Sequence, residues 1–177
     1  MRTLIIHPSD PSTDFCNLVY NDYRNRDDVT IMEGTRIPSS QIKEALKTHD
    51  RIIFCGHGTE LGLLDMRGDR YVITSDYLQF FRDKPVICYW CNANIFVEKY
   101  ELNAFATGMF VSEVDEAIQY CLPADQNLID ESNTQFCTIL SRHIFDDPRD
   151  IRTIIEKEYI GNNPIIQFNR ECMGFED

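Results

Sequence analysis

The chain is short of positive charge. Lys and Arg total 17 against 29 Asp and Glu, a formal net charge of −12 with a pI near 4.7. Phosphate binding needs a basic face, so nucleic acid is excluded as a partner. Long apolar runs are also missing. No stretch approaches the roughly 20 residues that cross a bilayer, and no leader-like pattern precedes Ser9. The expectation is a cytoplasmic protein with no membrane contact. There is no Gly-rich phosphate loop ending in Lys, no Gly-x-Ser-x-Gly elbow, and no close-spaced ligand pairs of a structural zinc site. Neither a cofactor nor a metal is expected. Repeats, low-complexity tracts and Gly/Ser linkers are absent too.

What is present suits one packed domain over residues 1–177. Apolar residues make up 43% and aromatics 11% of the chain, enough for a core rather than an acidic disordered tail. The acid excess is uneven: residues 113–177 carry fourteen acids against five bases, −9 of the −12. That third is read as solvated surface, with part of it able to line a site for a basic ligand. Seven cysteines, an odd number in a chain long enough to fold without staples, indicate free thiols in a reducing compartment.

Along the chain, apolar strands alternate with helices. Arg2 to His7, Val29 to Met32, Arg51 to Cys55 and Val86 to Trp90 read as strands, and Phe105 to Val111 as a further strand with Gly108 at a close approach. Helices are expected from Thr13 or Asp14 to Arg24, from Pro38, from Thr74 to Phe81, from Asn94 to Tyr100, from Glu113 to Tyr120, from Gln126 to Phe145 and from Pro148 to Tyr159. Residues 59–70 form a loop with a candidate hairpin, and Ile165 to Phe168 a candidate final strand. The pattern is that of an α/β three-layer sandwich with a mostly parallel sheet. Ligands in such folds sit beyond the carboxyl ends of the strands. At that edge stand His7-Pro8-Ser9-Asp10, Gly56-His57-Gly58, Cys91-Asn92-Ala93-Asn94 and Ser112-Glu113.

Two of these segments carry chemistry. Cys91 ends one buried strand before a helix, an address that lowers a thiol pKa, and His57 ends the strand before it. On neighbouring strands, Cys91 would attack a carbonyl and His57 would protonate the leaving group. The amides of Gly58 and Cys91 would bind the oxyanion. Asp10 is placed either to orient His57 or to cap the following helix, and Asn92 and Asn94 to bind substrate backbone or to cap the next helix.

Hydrophobic strand, His57-Gly58, spacer, hydrophobic strand, Cys91: this order over residues 1–120 resembles the caspase-like (clan CD) cysteine peptidases. The resemblance implies a caspase-like, or else flavodoxin-like, topology. It also implies a cysteine endopeptidase with His57 as general acid/base, Cys91 as nucleophile and Gly58 as an oxyanion donor, acting on a peptide or protein. The sequence departs from the family at Trp90 and Tyr89, where a small residue preceded by an acidic one is usual. Trp90 would crowd the substrate channel or mark a fold kept without peptidase activity, in which case the domain binds a protein partner. With no acid at Tyr89, Glu113 and Asp115 are the substitutes nearest to hand for selecting a basic residue. Cys88-Tyr89-Trp90-Cys91 is also formally a redox C-x-x-C, but Cys88 falls inside a strand rather than on a helix turn.

Overall fold

The computed structural model describes residues 1–34, 36–65 and 68–175. Five strands form its main sheet: β1 (Thr3–His7), β2 (Val29–Glu33), β3 (Arg51–Cys55), β7 (Val86–Tyr89) and β8 (Ala104–Ala106), in the order β2-β1-β3-β7-β8 and parallel throughout. Between β3 and β7 the chain makes a second, antiparallel sheet from β4 (Gly58–Thr59), β5 (Gly62–Leu64) and β6 (Tyr71–Ile73). This realises the candidate hairpin, although residues 66 and 67 of that loop lie outside the described residues.

The strands are apolar on both sides because both faces are covered. Ile5, Ile53, Ile87 and Phe105 face one layer. It holds the 3₁₀ segment Pro11–Val19, α4 (Gln126–His143) and α5 (Pro148–Glu158), which contribute Cys16, Phe136, Leu140, Ile151 and Ile155. Leu4, Ile6, Ile52, Phe54 and Val86 face the other. There α1 (Ser39–Thr48) and α2 (Ala93–Lys99) contribute Ile42, Leu46 and Phe96. The three-layer α/β sandwich is therefore as expected, and the strand order 2-1-3-4-5 of the main sheet is the flavodoxin-like one.

Three local expectations are corrected. Residues 165–168 are not a strand but part of helix α6 (Pro164–Cys172). Asn163 accepts from the Ile165 amide as N-cap, Pro164 fills the first turn, and burial falls on Ile165, Ile166, Asn169 and Arg170, a helical spacing. The strand after residue 104 stops at Ala106, because the chain turns at Gly108 to pass the Cys172 carbonyl, where no Cβ would fit. The segment after β1 is 3₁₀ rather than α-helix and starts earlier than expected, at Pro11 behind Asp10.

Candidate functional site

In this strand order the chain leaves β1 toward β2 on one side and enters β3 on the other. The crevice at the carboxyl ends of β1 and β3 is the topological switch point, where such folds place their ligands. The loops that meet there carry Asp10, Ser12 and His57.

Asp10 is the N-cap of the 3₁₀ segment. Its Oδ1 accepts from the Ser12 amide at 2.8 Å, the Thr13 amide at 3.2 Å and the Ser12 hydroxyl at 2.6 Å. His57 Nε2 lies 2.7 Å from Ser12 Oγ and 3.3 Å from Asp10 Oδ2. Ser12 has one hydroxyl proton, and Asp10 takes it. Nε2 must then be the protonated ring nitrogen, donating to Ser12 Oγ, with Asp10 Oδ2 beside it at ion-pair distance. Nδ1 of His57 has no partner among the described residues. Burial works against the Asp10 charge, but the hydrogen bonds from Ser12 and Thr13 and the nearby His57 outweigh it and hold the carboxyl below its usual range.

Behind this cluster runs a buried relay. Thr13 Oγ1 accepts from the Asp10 amide at 3.2 Å and meets His7 Nε2 at 3.1 Å; His7 Nδ1 meets the Tyr20 hydroxyl at 2.7 Å. Tyr20 donates toward Asn17 Oδ1 at 2.6 Å and Glu33 Oε2 at 3.1 Å. Since the tyrosine proton goes to one of those oxygens, His7 Nδ1 donates to the Tyr20 hydroxyl and Nε2 faces Thr13 Oγ1, whose hydroxyl is shared with the Asp10 carbonyl at 3.3 Å. Burial lowers the His7 pKa to about 4, in spite of Glu33, Asp14 and Asp10 nearby. A neutral, fully buried imidazole thus ties the capping threonine, and through it Asp10, to the body of the fold.

Strands β3 and β7 are neighbours, as expected, so His57 and Cys91 share one rim and line one small recess with Phe15, Trp90, Phe110 and Ser112. They are not engaged with each other. The Cys91 thiol donates to the Phe110 carbonyl at 3.5 Å, and burial, with Glu116 and Glu113 adding to it, pushes its pKa up to about 12. A nucleophilic thiol needs a nearby cation and a lowered pKa; this one has acids around it and stays protonated. Trp90 does not crowd a channel. It is 1% exposed, wedged under the antiparallel sheet with its Nε1 donating to the Thr59 carbonyl at 2.9 Å.

Beside the rim a groove of about 430 Å³ is lined by Ser12, Ser112, Glu113, Asp115, Asp130 and Asn133, among others. The volume lies within the range of small-ligand sites, roughly 300–1,000 Å³. Glu113 and Asp115 therefore lie together with Ser12, as their selection for a basic ligand requires, whereas Asn92 lines neither the groove nor the recess. Asn92 is the left-handed residue (φ 63°) before α2 and makes no side-chain cap. Burial, with Glu116 and Asp10 nearby, raises the Glu113 pKa. Among the described residues no Lys or Arg pairs with Glu113, Asp115 or Asp130. Asn133 is 4% exposed; its Nδ2 donates to the Ser112 carbonyl, and its Oδ1 has no partner. Ser12, Asp130 and Asn133 were missed from sequence. Only the Asp10-x-Ser12 turn signal pointed to any of them.

Flavodoxin-like folds use this switch point for FMN, with the phosphate on the amides that open the first helix. The residues here do not fit such a group. Pro11 has no N–H, and the Ser12 and Thr13 amides are already spent on Asp10.

No family model and no curated protein matches the chain. Among solved structures, it resembles an NADPH-quinone reductase from P.pentosaceus at a TM-score of 0.43 and 16% identity, over 78% of this chain and 98% of that one. No fold or chemistry is taken from that likeness. The cysteine-peptidase expectation is corrected: Cys91 is a half-buried thiol that donates to the Phe110 carbonyl and has its pKa raised rather than lowered. With it goes the nucleophile role of Cys91, and the roles of His57 and of the Gly58 and Cys91 amides, which depended on that nucleophile, are not carried further. Among the described residues no helix is long and apolar enough to cross a membrane.

Proposed function

We propose that this domain binds a positively charged segment of a peptide or protein partner in the groove beside the β1/β3 switch point. The observation that carries the reading is the polarity of the groove. Glu113, Asp115 and Asp130 supply carboxylates that pair with no Lys or Arg among the described residues, and Ser12 and Ser112 add hydroxyls beside them. A ligand that satisfies such a lining brings N–H donors and positive charge, as a lysine or arginine side chain does. The raised pKa of Glu113 fits the same reading, because an arriving cation would relieve the cost of its ionisation. The resemblance to the caspase-like superfamily enters only through the order it rests on, strand, His57-Gly58, spacer, strand, Cys91.

Fluorescence anisotropy with labelled Arg- and Lys-containing peptides tests the proposal, with citrulline and acetyl-lysine peptides as neutral matches. Charged peptides should bind and neutral ones should not. Glu113→Gln, Asp115→Asn and Asp130→Asn should each weaken binding about two- to fivefold, the range of a partly solvated ion pair. Affinity should fall as salt is added. Equal binding of charged and neutral peptides would sink the proposal.

A further inference from the structure

The switch point of this fold is built to receive an anion, and the chain supplies one itself. Three donors converge on one carboxylate oxygen, the Ser12 amide, the Thr13 amide and the Ser12 hydroxyl on Asp10 Oδ1, and the His57 imidazole stands 3.3 Å from Asp10 Oδ2. The amides belong to the opening turn of the 3₁₀ segment, the position where other proteins of this strand order hold phosphate. The seat is held from behind as well, since Thr13 is fixed by the fully buried His7.

We infer that Asp10 is a specificity-determining residue: its carboxylate permanently fills an oxyanion seat made by Ser12, Thr13 and His57, barring anionic ligands from this edge. An N-cap role alone does not account for this arrangement. Capping needs one oxygen on the amides, whereas here the second oxygen faces an imidazole from a loop 47 positions away in sequence. With the seat internally filled, the groove beside it offers Glu113, Asp115 and Asp130, none of them paired with Lys or Arg among the described residues. In that respect the inference deepens the cation-binding reading and rests on it. The claim that the seat is filled stands apart from it.

The test removes the carboxylate and offers an external anion. Inorganic phosphate is titrated into wild type, Asp10→Gly and Asp10→Ser, and the Ser12 and Thr13 amides and the His57 ring are followed by NMR. Asp10→Gly leaves both amides free at little cost to the turn, whereas Asp10→Ser keeps a neutral cap on an amide and removes only the carboxylate charge that faces His57. In the wild type these resonances should not saturate with phosphate. In folded variants they should shift together and saturate, with affinity at least about tenfold above wild type. Saturable shifts of equal affinity in the wild type would overturn the inference, as would folded variants whose Ser12, Thr13 and His57 signals ignore phosphate. If neither variant folds, Asp10 is a structural cap and the inference fails. No basic peptide enters this experiment. Failure of peptide binding with the phosphate gain intact would therefore remove the cation reading alone.

Discussion

The state of Cys91 can be read directly from its rate of alkylation. Burial, with Glu116 and Glu113 nearby, takes the thiol from 9.0 to about 12. Three pH units cut the thiolate fraction about 1,000-fold at any pH below 9. The thiolate that does form is the more basic nucleophile, and a Brønsted slope of about 0.4–0.5 returns roughly 15- to 30-fold. Cys91 should therefore react with iodoacetamide about 30- to 60-fold more slowly than an unperturbed thiol, before any loss of access is counted. The assay is mass-spectrometric mapping of labelled cysteines over time, with exposed Cys121 as the internal comparison. The Cys91 rate should keep rising tenfold per pH unit beyond pH 9, and His57→Ala should leave it unchanged. A rapid Cys91 reaction that levels off near neutral pH and is lost in His57→Ala would refute the account of the thiol and of its surroundings.

Two further outcomes follow from packing and linkage. A Cβ at Gly58 would collide with Trp90 Cδ1 and Cγ and lie 2.7 Å from the Gly62 carbonyl oxygen. Gly58→Ala should thus cost about 1–3 kcal/mol in urea unfolding; a loss below about 0.5 kcal/mol would show that the hairpin yields freely. His7 has a folded pKa of about 4 against 6.5 for the free side chain. The unfolded chain therefore takes up its proton first, and stability present above pH 6.5 is lost as the pH falls toward 4, by about 3 kcal/mol. Urea midpoints across that window should fall for wild type and fall less for His7→Gln, and parallel curves would contradict the assignment.

Much of the framework was legible because burial on both faces leaves an unmistakable mark. β1, β3 and β7 are unbroken apolar runs, and each ends where the residues turn polar, which placed His7, His57 and Cys91 on one edge. Ile165-Ile166-Gln167-Phe168 misled because a short apolar run fits a strand or a helix equally. The Asn163-Pro164 pair just before it was the signal that decided for helix. Trp90 misled for another reason. Nothing local to it tells that the hairpin 30 residues earlier folds over it and accepts its N–H at Thr59. The groove was half legible: Glu113 and Asp115 stood out by charge, whereas Asn133 is one polar residue inside the long helix α4, its orphaned oxygen a product of tertiary packing. The thiol state of Cys91 was out of reach for the same reason, since it depends on Phe110 and on acids that α3 (Val114–Gln119) and its N-cap bring near.

His57 stands at the seam between the parallel and the antiparallel sheet. The amide before it, Gly56, is tied to the Tyr89 carbonyl of the main sheet at 3.1 Å, while its own carbonyl accepts from Leu64 of the antiparallel sheet at 2.8 Å. Opening of the small sheet alone would release one side of the histidine and leave the parallel sheet intact. The lifetime of the assembled site is then set by a local opening with its own free energy, lower than that of global unfolding. Amide hydrogens of Leu63, Leu64 and Ile73 would exchange on the clock of the site, and those of Ile53 and Ile87 on the clock of the whole molecule.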